Sequence, residues 1–186
     1  MRLDLAQAPG ATPGYASLAE SPAHFQPLTM SDAYRRSMNE VPATARWLGY
    51  LGLLPFLGQM LAAVLGPSGE DSLAAHASLG VATYGAVILS FLGGITWGLT
   101  VNNPAIAGTQ GSRELMYSML PALGAWAALL LPTTFSLWFL AIGFAIAFIH
   151  DYRTAALHQL PAWFMRLRLH LSLGAVIAIA LTALYR

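Results

Sequence analysis

The side chains best suited to chemistry lie in one polar stretch, HDYRTAALHQL at 150–160. His150, Asp151 and His158 offer two imidazoles and a carboxylate, donors that suit a divalent metal ion, and an unperturbed imidazole exchanges its proton near neutral pH. Their spacing argues against a metal. Adjacent helical residues point about 100° apart, and a third donor eight positions after the first is not a recognised ligand interval. The expectation is that no metal binds, that Asp151 pairs with Arg153, Arg166 or Arg168 at a membrane surface, and that both histidines face water or lipid headgroups. Exposed pairs of that kind contribute ~0 to 1 kcal/mol. His76, close in sequence to Glu70 and Asp71, reads as a histidine at the membrane interface rather than a proton relay.

Other chemistry finds no foothold. The sequence contains no nucleophile elbow, H-E-x-x-H, phosphate-binding loop or dinucleotide fingerprint. The chain has no cysteine, which excludes disulfides, thiolate metal sites and cysteine nucleophiles. No cofactor and no catalytic residue are implied. A pore or carrier for a small neutral or weakly acidic solute would have to be lined by hydroxyls, with Tyr84, Ser90, Thr96 and Ser118 as candidates. No Asp, Glu, Lys or Arg falls in the central part of any apolar run, where such groups mark ion and proton pathways.

The elements that carry these residues are apolar. Of 186 residues, 56% are hydrophobic and 9% charged, against about a quarter charged in soluble domains. Leu73 to Val101 lacks any acidic or basic residue; as one helix it would reach ~44 Å, more than the ~30 Å hydrocarbon layer. With four further runs, this predicts an all-α integral membrane bundle of five transmembrane helices, at about 47–65, 73–101, 115–131, 135–149 and 167–185. Pro55 should kink the first span. Ser112 is the expected N-cap of the third, with Glu114 favourably placed in its first turn. Pro132 leaves only a very short turn between the third and fourth. Pro161 starts the last helix, whose first turns place Trp163 and Phe164 at headgroup depth while Arg166 and Arg168 snorkel to the phosphates.

Residues 1–43, rich in Ala, Pro, Gly and Ser without apolar periodicity, are expected to form a disordered tail, and Met30 is an alternative initiator. The net charge of +1 gives no basic patch for nucleic acid. All nine basic residues are arginine, a usage that suits a GC-rich bacterial genome. Arg35, Arg36, Arg46, Arg113, Arg153, Arg166 and Arg168 fall on one side of the predicted topology and Arg186 on the other. The positive-inside rule then sets the amino terminus in the cytoplasm and the carboxyl terminus outside a bacterial inner membrane.

The second span carries Thr83, Val87, Ser90, Gly94 and Trp97 at alternating intervals of four and three, hence on one face, and Gly94-x-x-x-Gly98 adds a small-residue pair. Such faces let another helix approach closely. Thr83, Tyr84, Ser90, Gly93, Gly94, Trp97 and Gly98 are therefore the expected packing or partner residues, serving internal packing first and a partner or self-association otherwise. Gly143 with Ala147, and Gly174 with Ala178 and Thr182, repeat the pattern in the last two spans. The second span is the expected centre of the bundle, and Asp151, Pro161, Trp163, Arg166 and Arg168 form an interfacial region.

The stretch YGAVILSFLGGITWG, Tyr84 to Gly98, resembles the signature of the transmembrane protein 69 family. Leu51 to Phe56 (LGLLPF), Ser118 to Trp126 (SMLPALGAW) and Leu160 to Arg168 (LPAWFMRLR) resemble it further. The resemblance covers roughly Val41 to Tyr185. It implies a small multi-span helical protein and transfers no catalytic residue, since that family has no established activity. The distinctive residues are small, aromatic or turn-forming, which suits a non-enzymatic accessory or assembly protein acting through helix contacts in a lipid bilayer. A pore or carrier, and a membrane enzyme using a surface His and Asp site, are the alternatives.

Overall fold

The computed structural model of the chain describes residues 42–67, 69, 72–103, 105–106 and 108–185. The expected tail before Pro42, Met30, and the acidic residues Glu70 and Asp71 lie outside them. The described residues form α1 (Ala43–Leu51), α2 (Leu54–Leu65), α3 (Leu73–Val101), α4 (Gly108–Leu129), α5 (Thr133–Thr154) and α6 (Ala162–Leu184). Four stretches are long and apolar enough to cross a membrane: Ala43–Leu65, Leu73–Val101, Thr133–Thr154 and Ala162–Leu184. The fifth rod, α4, packs beside them, and the whole is an all-α membrane bundle.

The expected kink is a break. α1 and α2 part at Gly52 and Leu53, and Pro55 sits in the first turn of α2, where its missing N–H is one a helix start leaves unpaired anyway. Tyr84 of α3 donates a 2.9 Å hydrogen bond to the Gly52 carbonyl, tying the break to the next helix.

α3 is the hub, in contact with α2, α4, α5 and α6. Ser72 caps it by accepting from the Ala75 amide. Its inward face is made of small residues, among them Ala74, Ala77, Ala82, Gly85, Ala86 and Gly93, so neighbouring helices come close. Large side chains from those neighbours fill the space: Phe56, Leu137, Leu140, Phe144 and Ile179 are all buried. Phe56 sets its ring edge-on to both Tyr84 and Phe144. At Gly93 the backbone of α4 passes so near that an added Cβ would run into the Ser118 carbonyl. Gly143 accommodates Leu89, and Gly174 accommodates Leu53; Ala147, Ala178 and Thr182 are buried.

Two boundaries differ from the sequence expectation. α4 starts at Gly108, so Ser112 is not its N-cap but bonds the Gly108 carbonyl from within the helix. No proline lies between 108 and 114 and the helix runs on through Gly111, which moves Glu114 to the second turn. α5 continues to Thr154, whose hydroxyl back-bonds to the His150 carbonyl. His150 and Asp151 are therefore helical, and the connection to α6 shrinks to residues 155–161.

Candidate functional site

The hairpin of α4 and α5 brings Glu114 level with His150. The Nε2 atoms of His150 and His158 lie 3.4 and 3.5 Å from Oε2 of Glu114. Tyr117, one turn along α4, stacks on the His150 ring with centroids 3.4 Å apart and planes 9° from parallel. Asp151, next to His150 on the helix, takes a different partner. Its Oδ2 accepts a 2.6 Å bond from Nη2 of Arg168, whose Nη1 donates to Ser172 at 3.3 Å.

The connection folds back to deliver His158. The Leu160 amide donates to the Ala155 carbonyl, Gln159 adopts a left-handed φ of 52°, and Asn103, just beyond α3, donates to the Leu157 carbonyl at 3.2 Å. The His158 side chain is left 2% exposed. Among the described residues neither of its ring nitrogens finds a hydrogen-bond partner, nor do Nδ1 of His150 and Oε2 of Glu114, all of them buried.

These positions revise the sequence expectation. The histidines face Glu114, not water or headgroups. Arg168 is buried against Asp151 rather than snorkelling, whereas Arg166 is exposed and Trp163 and Phe164 are half-buried. Pro161, in extended conformation, caps α6. Asp151 chooses Arg168 from the three arginines considered. His150, Asp151 and His158 do not converge, and among the described residues no group of three His, Cys, Asp or Glu side chains could hold a metal ion. What the arrangement can do is hold and exchange a proton.

Glu114 was missed as a site residue. A signal for it existed: it lies 18 residues before Pro132 and His150 lies 18 after, so in a hairpin with a tight turn at Pro132 the two must be neighbours.

The glycine-bearing face of α3 divides. Gly93 turns inward to α4, and Tyr84 is half-buried at the α1–α2 break. Thr83, Val87, Gly94, Trp97 and Gly98 point outward, with Ser90 at the margin. A Cβ at Gly94 or Gly98 would meet nothing within 4 Å among the described residues. The hydroxyls considered for a solute path are spent on backbone carbonyls, Ser90 on Ala86, Thr96 on Leu92 and Ser118 on Leu115 within their own helices, and Tyr84 on Gly52 across to the α1–α2 break. Two cavities between the helices are apolar, one of about 380 Å³ bordered by Leu48, Phe56, Phe91 and Leu171, the other of about 230 Å³ bordered by Leu89, Pro121 and Phe139.

Residues 41–184 match the family described as protein of unknown function (DUF3429). The chain is 35% identical over 149 residues to transmembrane protein 69 of Xenopus tropicalis, covering 77% of this chain and 55% of that protein. It is 34% identical over 143 residues to transmembrane protein 69 of Mus musculus, covering 76% and 56%. The chain thus spans about half the length of the curated relatives it matches. No solved structure matches it.

Proposed function

Since this chain belongs to the DUF3429 family of membrane proteins, for which no activity is established, we propose that it works as a non-enzymatic accessory or assembly protein whose α3 outer face pairs with another membrane helix. The observation behind this reading is that no described residue comes within 4 Å of a Cβ built at Gly94 or Gly98, four residues apart on a helix whose opposite face already serves the bundle core. In lipid no hydrophobic force draws helices together, so association relies on close backbone approach and van der Waals contact, which small residues permit. Val87 and Phe91, more than half exposed, stand along the same side and would flank an incoming helix.

The arginine distribution favours an orientation with the amino terminus in the cytoplasm of a bacterial cell. It puts the end of the bundle that holds Glu114 and Asp151 on the cytoplasmic side.

The natural absence of cysteine makes the test direct. A single Val87→Cys substitution in native membranes should give a disulfide-linked species on mild oxidation, with a second copy or a cysteine-bearing partner. Gly98→Leu added to that variant should abolish the product while the protein stays folded. A Val87→Cys chain that remains uncrosslinked, in membranes where Gly98→Leu leaves the detergent-extracted size unchanged, would refute the reading.

A further inference from the structure

We infer that Glu114, His150 and His158 bind one proton in common, and that this proton governs how firmly the 155–161 connection is held against α4 and α5. Charge balance is the first argument. The ionised side chains of Glu114, Asp151 and Arg168 leave the cluster one negative charge in excess when both imidazoles are neutral. These groups are between 2% and 18% exposed, and an uncompensated charge in such surroundings is costly. One added proton makes the cluster neutral. A second would leave it positive.

Geometry is the second argument. Both Nε2 atoms face the same carboxylate oxygen at distances beyond those of charge-assisted hydrogen bonds, about 2.7–2.9 Å, so a proton on either ring would draw that ring toward Glu114. Among the described residues the buried nitrogens of His158 have no hydrogen-bond partner, and packing alone does not account for an imidazole there. The surrounding elements supply the remaining titratable groups: Tyr117 from α4 on the His150 ring, Asp151 from α5, and Arg168 from α6 on Asp151. Beyond α3 the contribution is the uncharged amide of Asn103. Sites this close exchange protons as a unit, with midpoints that belong to the group. His158 is the buried anchor of the connection, so losing the proton should loosen residues 157–160.

Nitrogen-15 NMR of histidine in the full chain, reconstituted in nanodiscs, tests this with His76 and His170 as references. The expected result is a common midpoint for His150 and His158. Glu114→Gln should move it and split it in two, because the carboxylate oxygen that both rings face is gone. At fixed pH, the amides of 157–160 should exchange with deuterium about tenfold faster in that variant. If Glu114→Gln does not fold, His158→Gln serves instead and should move the His150 midpoint, an effect that a merely structural role would not produce. Two separate midpoints, unmoved by either substitution, would overturn the inference. So would a titration that vanishes when a chelator is added, since a metal ion would then hold the site.

Discussion

Around Gly93 the bundle is held by shape, and around Glu114 by charge. At the first place α3 and α4 touch through a glycine and a backbone carbonyl, with the Pro121 ring against the same glycine. At the second, carboxylates, imidazoles and a guanidinium meet with several buried atoms unpaired. Shape contacts are rigid and fail when a methyl group is added. Charge contacts respond to protons and fail when one partner is removed. The difference shows where such a protein can afford to change state: the α3 core holds the fold, and the end bearing Glu114 and the 155–161 connection can adjust without dismantling it.

The most severe way to break the shape-held region is Gly93→Leu. Its side chain would meet the Ser118 carbonyl, a backbone atom that cannot move aside without displacing α4. We expect a loss above ~4 kcal/mol, seen as failure to recover folded protein in mild detergent. Normal recovery and melting would mean that α3 and α4 are farther apart than described.

The charge-held end should respond less. Arg168→Leu removes the partner of Asp151 and leaves a carboxylate that is 16% exposed beside the Tyr117 and His150 stack. The expected cost is about 3 kcal/mol, measured as a lowered midpoint of thermal unfolding. Asp151→Leu added to it should restore part of that stability, because the uncompensated charge is gone. If the double variant is as unstable as the single one, packing rather than charge holds this end.

Smaller again is the effect of Ser72→Ala. It takes away the hydroxyl that accepts from Ala75 and should cost about 1 kcal/mol, with no change in the response of the Glu114 end to pH.

Much of the shape-held region was legible in the sequence, because an uncharged run longer than a bilayer admits one outcome; α3 follows Leu73 to Val101 from end to end. The central role of that helix could be anticipated from its small residues. The charge-held end was not, for two reasons. The polar pair His150 and Asp151 suggests that α5 ends at 149, yet polarity does not stop a helix without a breaker, and none occurs until the connection. Glu114 was assigned a local role at a helix start, whereas its partners lie 36 and 44 residues away, where local periodicity gives no information. Equal spacing about Pro132 carried the contact of Glu114 with His150.

The smallest expected effect on the fold is also the one that separates the two faces of a single helix. Gly94 is the neighbour of Gly93 in sequence, and a helix turns the two about 100° apart, so one meets α4 and the other meets no described residue within 4 Å. Gly94→Leu should therefore change stability by no more than about 0.5 kcal/mol, and a leucine is a better helix former than glycine. Its consequence should appear only between molecules, as loss of the crosslinked species expected of Val87→Cys. Equal damage to fold from Gly93→Leu and Gly94→Leu would mean that the outer face is covered by the protein's own chain, leaving no room there for a partner helix.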